Sequence, residues 1–396
     1  MRDYWGKQPL LIRGAFPDIA THVETVEQVL AWSTQSKNTK NALQTSSRLI
    51  QQNKAKHSNA PAEKSDWKLT SQPKTLPSRD TPNWTVLLQN LETLSPKATA
   101  VLNEFAFASY AELDDLMVSF ATDSGGVGAH VDSYDVFLLQ TLGQRRWRIE
   151  YDPARDAITQ AQSLALRPDM PLKILQNFNP THEWVLNPGD MLYLPPQIAH
   201  EGVAVGECMT YSIGFRAPTL QVVSEDLVDF LANKEEVEDG LDDENETDKH
   251  ELSVEDLAMP PAQLRRPARA AIAPAAIEAQ DIAVYRAQLN AYFTDAILEE
   301  HLGCVLTQAK RDLPAPARAP KLSLQKPLRL HPATRMLYSV NFVFVQGYSF
   351  AAAGEDAILL AQLADTRKLD AASVASLSED AQTCVADWLG EGWVLQ

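Results

Sequence analysis

The sequence predicts an α+β chain: an antiparallel β jelly roll, then a helical region, then a small module of mixed strands and helices. Three observations predict it. Between residues 110 and 218, short apolar segments alternate with turn signals, and no long helical pattern intervenes, the signature of a two-sheet jelly roll. That region holds two glycine- and proline-marked stretches, Gly125-Gly126-Val127-Gly128-Ala129-His130-Val131-Asp132 and Pro195-Pro196-Gln197-Ile198-Ala199-His200-Glu201-Gly202. After residue 219 the apolar period becomes helical, then mixed. The expected domains are 1–218 for the barrel with N-terminal helices, 219–312 for a helical region with an acidic loop at 234–250, and 313–396 for the last module.

The bulk properties narrow the function. The chain has 396 residues, enough for two or three domains. Its 52 acidic and 35 basic residues leave a net charge of -17. That balance argues against coating nucleic acid and suits a basic protein partner. Cys208, Cys304 and Cys384 form no Cys-x-x-Cys pair, so neither a zinc knuckle nor a disulfide framework is indicated. No apolar signal region opens the chain and no run is long enough to span a bilayer. The expected location is the cytoplasm.

The elements follow in order. Leu10 to Ile12 is a short strand. Thr25 and Gln28 form a capping-box pattern ahead of an amphipathic helix with Val26, Val29 and Leu30. Residues 36–80 read as loops with a few edge strands near Trp67 to Thr70. A helix is expected from about Trp84 to Leu94, and another after Ser95-Pro96, where serine caps and proline takes the first turn. Leu116 to Ala121 is a strand, with Leu116, Val118 and Phe120 on one face and Met117, Ser119 and Ala121 on the other. Val136 to Gln140 and Arg145 to Ile149 read as a hairpin joined through Gly143. Trp184 to Leu186, the turn Asn187-Pro188-Gly189-Asp190, the strand Met191 to Leu194 and the strand Cys208 to Phe215 complete the barrel, with His200 in a loop between the last two. A helix over Leu220 to Leu231 precedes the acidic run. Further helical patterns fill 253–310, and prolines 314, 316 and 320 mark a linker. The last module reads as a strand over Met336 to Val345, another near Tyr348, helices at about Asp356 to Ala364 and Glu379 to Leu389, and a closing strand at Trp393 to Leu395. The module resembles a winged helix without a dense basic patch, so direct DNA binding is not expected.

The chemistry concentrates in the two marked stretches. His130 and Asp132 share a face of an extended segment, because side chains repeat every second residue. A distant histidine, His200, would complete two imidazoles and one carboxylate, a set that leaves metal positions open and suits non-haem Fe(II). The glycines of 125–128 lack the Gly-Lys-Ser/Thr ending of a phosphate loop. In the strand Arg145 to Ile149, Trp147 and Ile149 set the inward face, so Arg145 points inward too. A buried arginine needs an anionic partner. An internal carboxylate and a carboxylate ligand are equally compatible with that spacing.

The runs Asp115 to Phe137, Arg145 to Arg148, Asn187 to Pro196, His200 to Gly202 and Tyr211 to Pro218 resemble the bacterial JmjC-type ribosomal oxygenases, which hydroxylate an arginine of large-subunit ribosomal protein sixteen. The resemblance is dense over roughly 110–218 and looser elsewhere. Ala129 departs from the proline that relatives carry before the first ligand, and the acidic segment is a second departure. The resemblance implies a double-stranded β-helix of the cupin/JmjC kind, a helical dimerisation region and a winged-helix-like C-terminal domain. It implies Fe(II) held by His130, Asp132 and His200, and 2-oxoglutarate held by Arg145 with help from Ser119. Tyr134 and Asp135 would stand near the substrate opening or serve the fold, and Thr210 and Ser212 would donate inside the barrel. The implied substrate is a ribosomal protein and the implied assembly a homodimer. A hydroxylase of histidine or lysine, a small-molecule cupin oxygenase and a silent binding module stay open on the residues alone.

Overall fold

The computed structural model describes residues 3–35, 46–52, 67–107, 110–153, 165–168, 173–239, 293–310 and 320–396, with isolated positions between them. By contacts the chain forms two units. One is Met1–Ala217 with Ala309–Arg335 and Gln362–Gln396; the other is Pro218–Gln308 with Met336–Ala361.

The first unit is built on nine antiparallel strands: β1 (Leu10–Ile12), β2 (Ser47–Gln52), β3 (Trp67–Ser71), β4 (Trp84–Leu88), β5 (Leu113–Ala121), β6 (Asp135–Glu150), β7 (His182–Leu186), β8 (Met191–Leu194) and β9 (Ala199–Phe215). They pair in the order β1-β8-β6-β9-β5-β4-β2-β3, with β7 also on β6. The two ends of β6 pair with different strands, Val136 to Leu139 with β8 and Arg145 to Ile149 with β7. This is the corner that folds one sheet over the other.

The expected hairpin at Gly143 is therefore not formed. Val136 to Ile149 is one strand that pairs with β9 along its length, with register shifts around Leu142. Gly143 sits at φ 61° beside that irregularity, and a Cβ there would lie 2.0 Å from the Glu207 carbonyl oxygen. A glycine at positive φ in a bulge bends a strand as well as it reverses one. The helix expected from Trp84 is also absent. Trp84–Leu88 is a strand buried at every position, and a short continuous apolar run suits a fully buried strand as well as a helix.

Two helices cover the outer face, α1 (Val26–Ser33) and α2 (Pro96–Asn103), both capped as expected. Thr25 Oγ1 accepts from Gln28 N at 3.2 Å and Ser95 Oγ from Ala98 N at 3.0 Å. Val29, Ala98 and Val101 pack with Leu116, Val118 and Phe120 in the main core. The face predictions for β5 thus hold: those three point to the core, while Met117 and Ser119 point to the barrel interior.

Beyond the barrel come α3 (Leu220–Asp239) and α4 (Asp295–Thr307), strands β10 (Leu328–Leu330), β11 (Met336–Tyr338), β12 (Phe342–Val345) and β13 (Tyr348–Ala351), then α5 (Gly354–Thr366), β14 (Lys368–Leu369), α6 (Ala371–Ala375), α7 (Glu379–Gly390) and β15 (Val394–Leu395). The single strand expected over Met336 to Val345 is a hairpin, turned where the Ser339 hydroxyl accepts from Phe342 N at 3.2 Å. The helix that begins at Leu220 runs through the start of the acidic segment to Asp239, where a loop was expected; 240–250, and the helical patterns over 251–282, lie outside the described residues. In the second unit α4 packs on β12, with Gly303 under the Phe344 ring. Among the described residues no helix is long and apolar enough to cross a membrane.

Candidate metal centre

Two chain segments meet at the site as an isolated antiparallel bridge between His130 and His200. The pair exchanges both main-chain hydrogen bonds, His130 N to His200 O at 3.0 Å and His200 N to His130 O at 2.9 Å. Side chains of such a pair emerge on the same side, and the two imidazoles lie 4.3 Å apart between ring centres. His200 is thus the second residue of β9 and not part of a loop. Asp132 comes alongside through the period-two spacing, and the Gln197 N donation to its carbonyl at 2.7 Å pins the segment. One ligand atom from each of His130, Asp132 and His200 falls within 4.8 Å of the others. His200 Nε2 is 3.7 Å from Asp132 Oδ2.

Glycines let these backbones meet. A Cβ on Gly126 would lie 2.6 Å from the Gly202 carbonyl oxygen, and one on Gly202 would lie 2.7 Å from the Trp147 indole. The indole in turn packs 5.9 Å from the His200 ring.

The protonation pattern suits a metal. His130 Nδ1 lies 2.9 Å from the Gly128 carbonyl oxygen, and His200 Nδ1 lies 2.8 Å from that of Ile198. A carbonyl only accepts, so each Nδ1 carries the proton and each Nε2 keeps a free lone pair. Burial, and then the neighbouring His130, push His200 down to about 4. It is neutral near pH 7, the form that ligates.

The triad opens into a cavity of about 400 Å³, within the range of small-ligand sites. Arg145, Ser119 and Trp147 line it with the triad. Arg145 is 3% exposed, and its Nε and Nη2 have no hydrogen-bond partner. Of the two partners open at the sequence level, the internal carboxylate is absent among the described residues. Ser119 Oγ reaches only Thr210 O, at a long 3.4 Å, so its proton can turn into the cavity. Arg148, on the opposite face, pairs with Glu201.

Other expected residues separate. Tyr134 lines the cavity, its ring 4.5 Å under the Arg216 guanidinium. Asp135 instead accepts from the Tyr193 hydroxyl, which accepts from Gly6 N at 2.7 Å. It ties the N-terminal segment to the barrel. Ser212 lines the cavity, while Thr210 donates to Gln140 Oε1 at 2.9 Å. Sequence reading missed Asp115 and Arg48, both on the cavity wall. Asp115 shares the face of Met117 and Ser119, so its signal was present; Arg48 gave none.

A metal fits this donor set: two neutral imidazoles and a carboxylate converge, and a buried guanidinium without a partner stands ready for an anion. Fold and site define a JmjC protein. Residues 100–223 match the family model described as JmjC domain, and 292–394 match the model described as ROXA-like winged helix. The fold is accordingly a JmjC cupin-like barrel with helices and a C-terminal winged helix. A "Probable ribosomal oxygenase" of Haemophilus influenzae is 28% identical, over 100% of this chain and 95% of that protein. The "Ribosomal protein uL16 3-hydroxylase" of Escherichia coli is 35% identical over 39% of each chain. Escherichia coli ycfD has the same fold, with a TM-score of 0.74 at 22% identity, over 100% of this chain and 96% of that one. The chain thus carries a JmjC domain and a ROXA-like winged helix, and along its whole length it is similar to a protein named as a probable ribosomal oxygenase.

Proposed function

We propose that the protein is an Fe(II)- and 2-oxoglutarate-dependent oxygenase that hydroxylates an arginine side chain of a large-subunit ribosomal protein. The observation that carries it is one cavity with a complete two-histidine, one-carboxylate set at its base and a buried, unpartnered arginine beside it. A solved ycfD structure, with a TM-score of 0.71, is a complex with cobalt and 2-oxoglutarate.

His130, Asp132 and His200 would hold the iron, and Arg145 with Ser119 the distal carboxylate of 2-oxoglutarate. Bound iron, 2-oxoglutarate and O₂ supply oxidative decarboxylation of the cosubstrate coupled to hydroxylation of a C–H bond. The chain's own part is to orient and to exclude water. Arg145 presents a planar fork that matches a carboxylate in bidentate fashion. Trp147 and Val136 wall the cavity with apolar surface. The Nδ1 protons, donated to Gly128 and Ile198 carbonyls, fix the ring orientations.

For the target, the cavity offers the Asp115 carboxylate with Met117 and Tyr134. A flat cation whose faces are apolar fits that set. The relative named for uL16 is a 3-hydroxylase, and carbon 3 is bonded to the α-carbon, so the substrate main chain comes close to the site. On the same reading the protein works on its substrate in the cytoplasm, as a homodimer through the helices that follow the barrel. The test is succinate formation with a uL16 peptide. Wild-type protein forms succinate in a peptide-dependent manner and His130→Ala does not; decarboxylation persisting in His130→Ala would overturn the metal assignment.

A further inference from the structure

Among the described residues, two cations on the cavity wall, Arg48 and Lys173, have no part in that chemistry. Arg145 is assigned to the cosubstrate. Arg216 is held by Asp114 Oδ2 at 3.2 Å and by the Tyr134 ring. Of the two left, Arg48 on β2 is the one whose Nε is buried without a hydrogen-bond partner among the described residues. Burying part of a guanidinium away from water with no acceptor is costly unless a ligand completes it.

Register fixes where it stands. Ser119 on β5 is opposite Leu87 on β4, and Leu87 is opposite Arg48 on β2. All three line the cavity. Arg48 therefore stands two strand spacings, about 10 Å, from the serine beside the cosubstrate. Ile50 and its cross-strand partner Leu69 continue the wall to the edge strand β3. The wall thus continues from the serine across β4 and β2 to β3.

We propose that Arg48 is a specificity-determining residue that donates to a main-chain carbonyl of the polypeptide substrate, on a residue flanking the hydroxylated one. The inference rests on the proposed oxygenase reading. A main-chain acceptor suits the site better than an acidic side chain. The reacting carbon next to the α-carbon brings the main chain into the cavity, and each desolvated carbonyl there needs a donor. The net charge of -17 also suits a basic partner, poor in carboxylates.

The test is binding of a fluorescein-labelled uL16 peptide to the full chain loaded with Co(II) and 2-oxoglutarate under nitrogen, read by anisotropy. Arg48→Met keeps an unbranched apolar stem and removes the donors. Its peptide Kd rises about tenfold, the loss expected for one charged hydrogen bond. Arg48→Lys recovers part of that loss, and the 2-oxoglutarate Kd of both variants stays at the wild-type value. Unchanged peptide affinity in Arg48→Met would overturn the proposal. Equal loss of peptide and 2-oxoglutarate affinity would make Arg48 structural and overturn it as well. Wild-type protein that forms peptide-dependent succinate while Arg48→Met binds the peptide normally refutes only this inference. Wild-type protein that neither binds the peptide nor forms succinate refutes the oxygenase reading beneath it.

Discussion

At the scale of single residues, unpartnered charge is the most informative feature of the cavity. Arg145 is buried with two guanidinium nitrogens lacking any acceptor, and a carboxylate ligand removes that deficit. Arg145→Ala therefore raises the 2-oxoglutarate Kd by about tenfold or more, while metal affinity changes little; titrations of metal and of 2-oxoglutarate separate the two, and equal losses would make Arg145 structural. Lys310 is the contrasting case, a partly exposed cation that is paired. Its Nζ lies 2.9 Å from Asp114 Oδ1. Partial desolvation of the ammonium, and then the neighbouring Arg335 charge, push it down to about 8 from 10.5 in a free lysine. Between those values the unfolded chain holds more protons than the folded one, so stability rises with pH across that window. Urea unfolding at pH 8 and pH 10 shows this rise in the wild type, and Lys310→Met abolishes its share of it.

At the scale of elements, the long bent strand β6 decides the architecture. Its one sharp feature is Gly143, with positive φ and the Glu207 carbonyl where a Cβ would go. Gly143→Ala destabilises the barrel by about 2 kcal/mol or more, measured as a lower urea midpoint with the same slope. A local signal at Gly143 does not say whether the chain reverses or bends; only the unbroken pairing with β9 does. The caps at Thr25 and Ser95 were legible because they are local hydrogen-bond chemistry. Trp84–Leu88 was not, because a strand buried on both faces shows no period two.

At the scale of the whole molecule, the site joins residues that are far apart in sequence. The residue types of the candidate metal set and the His130-x-Asp132 spacing were legible from the chain. The bridge that sets His130 opposite His200 is a product of the folded sheet and cannot be read from either segment alone. Arg145 was legible because Trp147 and Ile149 fix its face. Arg48 was not, because its strand sits in a polar stretch and its cavity face appears only when β2 docks between β3 and β4. The central claim is that this assembly oxidises a protein side chain. The direct measurement is mass spectrometry of a uL16 peptide after incubation with the protein, Fe(II), 2-oxoglutarate and O₂. The account predicts a gain of one oxygen, about 16 Da, located on carbon 3 of an arginine and dependent on 2-oxoglutarate. An unmodified peptide, with no succinate formed by metal-loaded protein, would contradict it.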